Sequence, residues 1–392
     1  MKINEVKIYG IGGIKELALT FNPGFNAICG CNGIGKTTIL NVIANGFSTT
    51  SRRIKRNANY PEGRFSIEYT DCDNELVKKD ICIKEFEPLE KGTRYNGNMR
   101  DVLYLMFFCE NRSIEYMNLT SIPRDHNANQ YYIADDLELG INIDDLKGWF
   151  NNRCLFNGVE GSLSLIQKTN LEIAIKSFSI LDPTIEFKTI DAGSLDIILS
   201  SRNGDIYFEY LSTGYKSCIY LIMGLIKEIE YRFGKYGISG GDFDGVVLID
   251  EIDLHLHPTW QAKLIDALKT IFPLAQFIVT THSPSVLQIL EKNEIIPLTQ
   301  DEFGNVSIKE LNLSEYGLQG WSIEEILRDV MEMPETTSKF FEDTMQAFEK
   351  ALDMGDIESV KTHYAILMQM LHPDSVIRRL MNIEVAGLGI EK

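Results

Sequence analysis

The sequence contains no apolar run of the roughly 18 residues that a membrane-spanning helix needs, so we predict no membrane span. Its first residues, Met1–Val6, alternate polar and apolar side chains and lack the apolar core of a secretory signal. Sustained heptads and internal repeats are also missing, which argues against a long coiled coil. We therefore expect a cytoplasmic chain, and its 44% apolar content supports a sizeable core.

Cysteine and histidine are too few and too scattered for two further classes of protein. The seven cysteines are odd in number and dispersed, which indicates reduced thiols and excludes a disulfide framework. Cys29 and Cys31 have the wrong spacing for a zinc knuckle. The six histidines form no cluster like those of HNH or Toprim nucleases, and we interpret His255 and His257 as loop and interface residues. Nucleic-acid cleavage by this chain itself is not expected.

Positive charge is in short supply, because 38 lysine and arginine residues face 56 aspartate and glutamate residues, for a formal net charge of −18. A surface this acidic repels nucleic acid on average. One dense basic patch stands out, made of Arg52, Arg53, Lys55 and Arg56. It is either a solvated loop or a contact for a phosphate backbone, and the sequence leaves both interpretations open.

A phosphate-binding loop is present, and the rest of the chain is organised around it. Residues 30–37 fit the pattern G-x-x-x-x-G-K-[ST], between a predicted strand, Phe25–Cys29, and a predicted helix, Thr38–Ala44. Such a loop points backbone N–H groups and a helix dipole at one spot, which suits a polyphosphate. We expect Lys36 to reach the β- and γ-phosphates of ATP and the Thr37 hydroxyl to hold Mg²⁺. The predicted nucleotide-binding residues of the loop are Gly30, Asn32, Gly33, Gly35, Lys36, Thr37 and Thr38.

An acidic pair and a histidine follow two further apolar runs. Val246–Ile249 predicts a buried strand that ends in Asp250 and Glu251, the second half of a P-loop NTPase site. We expect Asp250 to hold Mg²⁺ and Glu251 to polarise the attacking water, although such a pair can also be a solvated strand end. Gln276–Val279 predicts the next buried strand, and His282 follows it where a side chain can contact a γ-phosphate. The predicted catalytic residues are therefore Glu251, His282 and Lys36.

A second anion-ready site is predicted at Leu211–Lys216, which ends a β region and opens a helix from Ser217 to about Phe233. Ser212 is a plausible N-cap, and a serine and a glycine, Gly214, at a helix N-terminus suit an anion. A plain capped helix is the alternative. We assign Ser212 and Gly214 to nucleotide binding.

The remaining pattern predicts an α/β fold, with a mixed sheet, an antiparallel β lobe and a helical carboxyl-terminal extension. We expect an ATPase head over residues 1–310, elaborated by an insertion at about 50–205, and a helical docking region over 311–392. Within the head, Val102–Cys109 is predicted as a buried strand and 118–140 as irregular and polar.

In this order the motifs resemble those of ATP-binding-cassette (ABC) ATPases, and within them the RecF/SMC/OLD-like branch of ATPases labelled AAA. Two stretches, Ile249–Pro258 and Thr280–Pro284, look most like the PtuA ATPases of the Septu systems of anti-phage defence. Residues 1–290 carry the resemblance strongly, and the helical tail entered near Gly320 carries it weakly.

The resemblance implies a head-to-head homodimer, or a higher homo-oligomer, with ATP and Mg²⁺ at the interface. Each ATP would lie between the phosphate loop and acidic pair of one subunit and Ser212 and Gly214 of the other. The loop Asp253–His257 would communicate across that dimer. The resemblance to Septu also implies a partner effector nuclease of the HNH type, with nucleic acid reached through the complex.

One departure from the ABC pattern argues against transport. The transporter branch carries a glutamine after a buried strand near the site, whereas Val102–Cys109 is followed by Glu110, Asn111 and Arg112. The nearest glutamine, Gln130, lies in a segment predicted to be a polar loop and is not assigned. Two alternatives to the defence ATPase stay open: a DNA-maintenance ATPase that binds DNA directly, and a structural ATP clamp.

Overall fold

The computed structural model of the protein describes residues 1–48, 53–90, 99–110, 116, 118–125, 130–142, 144–234, 237–333 and 337–387. These residues form two compact units. The first comprises residues 1–326 and 330–332, and the second comprises 327–329 and the described residues from 333 onward.

The described strands and helices follow in chain order. The strands are β1 (Lys2–Ile11), β2 (Ile14–Thr20), β3 (Phe25–Cys29), β4 (Gly63–Thr70), β5 (Leu76–Ile83), β6 (Leu105–Phe108), β7 (Glu186–Ile190), β8 (Ile197–Ser201), β9 (Gly204–Tyr207), β10 (Val246–Ile249), β11 (Gln276–Thr280), β12 (Ile295–Gln300) and β13 (Val306–Ile308). The α-helices are α1 (Lys36–Asn45), α2 (Met99–Val102), α3 (Gln130–Leu139), α4 (Leu146–Phe156), α5 (Leu165–Leu181), α6 (Thr213–Phe233), α7 (Pro258–Ile271), α8 (Pro284–Leu287), α9 (Ile323–Asp329), α10 (Lys339–Met354), α11 (Ile357–Met370) and α12 (Val376–Gly387). None of the helices in these ranges is both long enough and apolar enough to cross a membrane.

The central sheet of the first unit has the strand order β13-β12-β3-β11-β10-β6. Its neighbours from β12 to β6 pair in parallel, and β13 pairs antiparallel with β12. All residues of β3, β10 and β11 are buried, because both faces of a parallel sheet are covered, and this explains why their sequences are mainly apolar. The order places β11 between the strand that enters the phosphate loop and the strand that ends in the acidic pair.

An antiparallel lobe accompanies the central sheet, with the order β2-β1-β4-β5. Its strands alternate buried and exposed residues, as in β4, because one face packs on the core and the other meets solvent. The strands β7, β8 and β9 form a separate antiparallel sheet. The predicted α/β class, with a mixed sheet and an antiparallel β lobe, is confirmed.

Three expectations about individual elements are wrong. The run Val102–Cys109 is not one strand, since α2 ends at Val102 and β6 covers only Leu105–Phe108. The segment 118–140 is not irregular throughout, since it contains α3, on which Ile133 and Leu137 are buried four residues apart. Gln130 accordingly begins a helix and does not lie in a loop. Helix α6 starts at Thr213, one turn before the predicted Ser217.

The far end of α6 is held by buried ion pairs. The Nε of Arg153 on α4 lies 3.0 Å from a carboxylate oxygen of Glu230. The Nη2 of Arg232 lies 2.9 Å from the Oδ2 of Asp136 on α3. Breaking one side of such a buried pair costs about 3–5 kcal/mol, because it leaves a charge without its counter-ion. These pairs hold the carboxyl-terminal part of α6 against α3 and α4.

The second unit is a small helical assembly of α10, α11 and α12. Its buried apolar side chains come from all three helices and are Phe348, Ala351, Val360, Leu367, Met381 and Val385. On α10, Phe348 is buried and Phe341, Met345 and Leu352 pack against the same core, so the apolar side chains form one stripe along the helix.

Candidate nucleotide-binding site

The predicted site residues of the first unit meet at one edge of the central sheet. The strands β3, β11 and β10 are parallel neighbours, so their carboxyl ends lie side by side. The phosphate loop follows β3, Asp250 and Glu251 follow β10, and His282 follows β11. Ligands of open parallel sheets bind outside these carboxyl ends. The fold therefore brings the phosphate loop beside two motifs that follow it in the sequence by more than two hundred residues.

The glycines of the phosphate loop are explained by their backbone angles and, at two of them, by the close approach of neighbouring strands. Gly30, Gly33 and Gly35 have φ angles of 142°, 78° and 107°, in the region that disfavours side chains. A Cβ at position 30 would lie 2.7 Å from the carbonyl oxygen of Leu298 on β12. A Cβ at position 35 would lie 3.0 Å from Ile14 of β2. Asn32 and Gly33 lie exposed at the tip of the loop.

Replacing Gly30 by Ala is expected to lower the free energy of unfolding by roughly 1–3 kcal/mol, because a Cβ there meets a backbone oxygen that cannot move away cheaply. Thermal or urea unfolding of the full chain measures the change. Gly158→Ala is the matched control, because a Cβ at Gly158 meets nothing within 4 Å. Equal unfolding free energies for the two variants would show that the loop does not lie against β12 as described.

Lys36 is the first residue of α1 and is only 4% exposed. Its Nζ donates to the carbonyl oxygens of Gly30, at 2.8 Å, and of Cys31, at 2.9 Å. Burial lowers the pKa of the Lys36 ammonium, and the carboxylates of Glu251 and Asp250 partly offset this. The ammonium is thus aimed into the curve of the loop, where a phosphate would meet it.

A chain of short contacts joins the phosphate loop to the acidic pair. Asp250 is 2% exposed, and its Oδ1 accepts hydrogen bonds from the hydroxyls of Thr37, at 3.2 Å, and of Thr280, at 2.6 Å. The same Thr280 hydroxyl accepts the backbone N–H of Glu251 at 2.7 Å. Glu251 has a φ of 49°, which is uncommon for a residue other than glycine and is typical of strained functional positions.

These residues fit Mg²⁺ and a triphosphate. Mg²⁺ prefers oxygen ligands and binds through one or two protein groups together with substrate phosphates. Thr37 and Asp250 present a hydroxyl and a carboxylate oxygen side by side at the N-terminus of α1. Lys36 and the loop amides supply the positive potential that a polyphosphate needs. When bound, Mg²⁺ would neutralise charge that develops on the phosphates.

The loop after β11 is tied to the segment after the acidic pair. Asp253 Oδ1 accepts hydrogen bonds from the Thr281 hydroxyl, at 2.6 Å, and from the His282 backbone N–H, at 3.2 Å. Burial lowers the pKa of the His282 imidazole, and Lys36 lowers it further. Both effects favour the neutral imidazole, whose ring N–H can donate a hydrogen bond to a phosphate.

Removing the Asp253–Thr281 contact is expected to slow ATP turnover about tenfold, because the backbone that carries His282 loses its anchor. Asp253→Asn and Thr281→Val each weaken the contact. Because both changes act on one interaction, the double variant should turn over ATP no more slowly than the slower of the two single variants. Turnover and ATP affinity are measured separately, and affinity should change little. Thr169→Val is the control, because that hydroxyl bonds only within α5, to the Leu165 carbonyl oxygen. Additive losses would contradict a shared role.

Ser212 and Gly214 lie at the N-terminus of α6, as predicted. The Ser212 hydroxyl accepts the backbone N–H of Tyr215 at 3.3 Å, so its role as N-cap is confirmed. Ser212 is exposed, and Gly214 is buried where a Cβ would lie 3.1 Å from the Trp260 ring on α7. The glycine therefore allows α6 to approach α7. None of the described hydrogen bonds joins Ser212 to the phosphate loop of its own chain.

The basic patch is partly used within the chain. Arg52 lies outside the described residues. The Arg53 guanidinium donates to the Cys109 thiol at 2.9 Å, and that of Arg56 lies 4.7 Å from the centre of the Phe86 ring. These contacts direct part of the predicted patch towards the protein.

In the described ranges, no group of three or more His, Cys, Asp and Glu side chains is placed to hold a metal ion.

The hydrogen-bonding roles of two site residues were not predicted from the sequence. Thr280 links the acidic pair to β11, and Asp253 anchors the loop that carries His282. The sequence feature that could have indicated these roles is the pair of threonines that follows an apolar strand, because that strand is predicted to lie near the strand that ends in the acidic pair. Nothing in the sequence indicated that Leu298 lies against the phosphate loop, where its carbonyl oxygen leaves no room for a side chain at position 30.

Comparison with known proteins gives the following matches. A family model described as "AAA domain, putative AbiEii toxin, Type IV TA system" matches residues 120–288. The chain is 44% identical over 389 residues to Septu protein PtuA of Bacillus thuringiensis, covering 99% of this chain and 98% of that protein. It is 26% identical over 296 residues to the Retron Ec83 probable ATPase of Escherichia coli, covering 70% of this chain and 53% of that protein. The SMC head domain from Thermotoga maritima matches with 16% identity and a TM-score of 0.46, covering 80% of this chain and all of that one.

Proposed function

The chain belongs to the Septu PtuA family, and we propose that it is a Mg²⁺-dependent ATPase that dimerises on ATP and controls a partner effector nuclease in anti-phage defence. The observation that carries the ATPase assignment is a connected set of hydrogen bonds: the Thr37 and Thr280 hydroxyls donate to Asp250, and the Glu251 backbone N–H donates to the Thr280 hydroxyl. A phosphate loop, a ligand set for Mg²⁺ and a carboxylate for the attacking water thereby lie at one sheet edge.

Each group has a distinct part in hydrolysis. Lys36 and the loop amides bind the β- and γ-phosphates, and Thr37 and Asp250 hold Mg²⁺. The Glu251 carboxylate accepts a proton from the attacking water, so that the oxygen becomes a better nucleophile. The neutral His282 ring donates a hydrogen bond to the γ-phosphate, and Asp253 keeps its backbone in place.

The other half of each site is proposed to come from a second copy. Ser212 is exposed at the start of the 21-residue helix α6, and its hydroxyl and the first N–H groups suit a γ-phosphate. Because ATP has two phosphate-facing sides, a head-to-head pair can enclose two ATP molecules between the phosphate loop and acidic pair of one chain and Ser212 and Gly214 of its partner.

Mixing two inactive variants tests this composite site. Lys36→Ala removes the phosphate-loop lysine, and Ser212→Arg blocks the face that meets the partner's ATP. In a mixed dimer, the Ser212→Arg chain keeps its phosphate loop and receives an intact Ser212 from the Lys36→Ala chain. One of the two sites is then complete, so ATPase activity should return on mixing, to a sizeable fraction of the parent rate.

The control mixes Lys36→Ala with Glu251→Gln. Both defects lie in the same half of the site, so every dimer that forms contains two damaged sites and stays inactive. Recovery in the control, or no recovery in the test pair, would contradict a site shared between two copies. Light scattering in ATP verifies that dimers form in both mixtures.

The nuclease step is assigned to a separate chain, because the six histidines of this sequence form no HNH-like cluster. Control of that partner is supported by the family to which the chain belongs. Closing of the ATP dimer changes the surface that the partner meets, so the nucleotide state can set the partner's activity.

A further inference from the structure

Helix α12 has two apolar faces, and only one has a partner within the described structure. Met381 and Val385 are 2% and 4% exposed and belong to the core of the second unit. On the opposite face, Val376, Leu380 and Ile383 are 67%, 55% and 68% exposed. Three large apolar side chains in one row, on a helix of 12 residues, mark a surface for association.

The spacing of this exposed row is that of a coiled-coil seam. Val376, Leu380, Ile383 and Gly387 follow one another at intervals of four, three and four residues, which is the repeat of alternating d and a positions. The exposed charges Arg379 and Glu384 lie on opposite sides of the row, at the g and e positions. The row and its flanks thus have the layout of a short two-helix contact.

We propose that the exposed face of α12 pairs with the α12 of a second copy, in parallel around a twofold axis. In a parallel pair, a g residue of one helix meets the e residue five positions later on the other helix. Arg379 of each copy then meets Glu384 of the other, which gives two ion pairs. In an antiparallel pair, Arg379 would face Arg379 of the other copy and Glu384 would face Glu384, so neither ion pair would form. Within one helix, residues five apart do not face each other.

The contact is small, because a stable interface buries about 1,200–2,000 Å² and this row offers a few side chains. We therefore expect weak association, with a dissociation constant on the order of 100 µM. Sedimentation of the full chain without nucleotide and Mg²⁺, over a range of concentrations, measures it apart from any ATP-driven dimer. The inference thus stands or falls independently of the proposed ATPase.

A charge exchange tests the pairing. Arg379→Glu and Glu384→Arg should each weaken self-association about tenfold, because each places like charges opposite one another. The double variant should return to within about threefold of the parent, since both ion pairs re-form with reversed polarity. Lys361→Glu and Glu349→Arg are the matched controls, because they make the same charge changes at exposed positions of α11 and α10.

Cysteine cross-linking tests the orientation. Ile383→Cys alone should form disulfide-linked dimers under mild oxidation, because a parallel pair brings position 383 beside its own copy. Cross-linking that needs a mixture of Leu380→Cys and Ile383→Cys would overturn the parallel arrangement. A chain that is monomeric at all concentrations, or a double variant no better than the singles, would overturn self-pairing. Self-pairing would also be overturned if the variants kept their self-association but no longer bound a co-expressed nuclease partner. That result would assign the face to the partner.

Discussion

Glu251→Gln is expected to lower ATP turnover by about 100-fold or more while ATP stays bound and dimers accumulate. A positioned general base contributes roughly 10²–10⁴-fold to such reactions, and an amide cannot take the proton. Gln has the same shape, so the backbone bond from Glu251 to Thr280 is kept. Phosphate release measures turnover, and light scattering with and without ATP measures the dimer.

Glu315→Gln is the control for this variant, because Glu315 is exposed and outside the site. It should hydrolyse ATP at the parent rate and show no added dimer. If Glu251→Gln also turns over at the parent rate, another group polarises the water and the assignment of Glu251 is wrong.

Lys36→Ala is expected to weaken ATP binding about 100-fold. Hydrogen bonds to a charged group contribute about 1.5–3 kcal/mol each, and 1.4 kcal/mol corresponds to a factor of ten. The change also removes the two bonds that close the loop on the Gly30 and Cys31 carbonyl oxygens. Calorimetric titration with a slowly hydrolysed ATP analogue and Mg²⁺ measures the affinity.

Two further measurements separate binding from stability in this variant. A thermal melt without nucleotide shows how much the loop depends on Lys36 for its shape. Lys361→Ala, an exposed lysine of α11, controls for the loss of one positive charge. An affinity for the ATP analogue within threefold of the parent would contradict the role of Lys36 in phosphate binding.

The phosphate loop and the acidic pair could be located from sequence because each is a run of consecutive residues beside a fully buried strand. The hydrogen bonds between Thr280 and the acidic pair could not be predicted, because they depend on β11 lying beside β10 in the sheet. Local periodicity does not encode the order of strands in a sheet. The cap at Ser212 was predictable from residue type alone, and the structure bears it out.

The elements that were missed have physical explanations. In α3, Asp136 and Glu138 made the segment look polar, yet Asp136 is buried against Arg232, and Ile133 and Leu137 carry the apolar face. In Val102–Cys109, a continuous apolar run shows neither the period of a helix nor that of a strand. The end of α2 inside that run therefore left no trace in the pattern.

The measurement that tests the central claim most directly is a pull-down of tagged Glu251→Gln from its native host with ATP and Mg²⁺, followed by mass spectrometry. The account predicts a nuclease chain of the HNH type at constant stoichiometry, and much less of it with Lys36→Ala, in which ATP binding is weakened. Nucleic acid recovered alone and lost at high salt would contradict control of a nuclease. That result would instead support direct DNA binding through the patch that includes Arg53, Lys55 and Arg56.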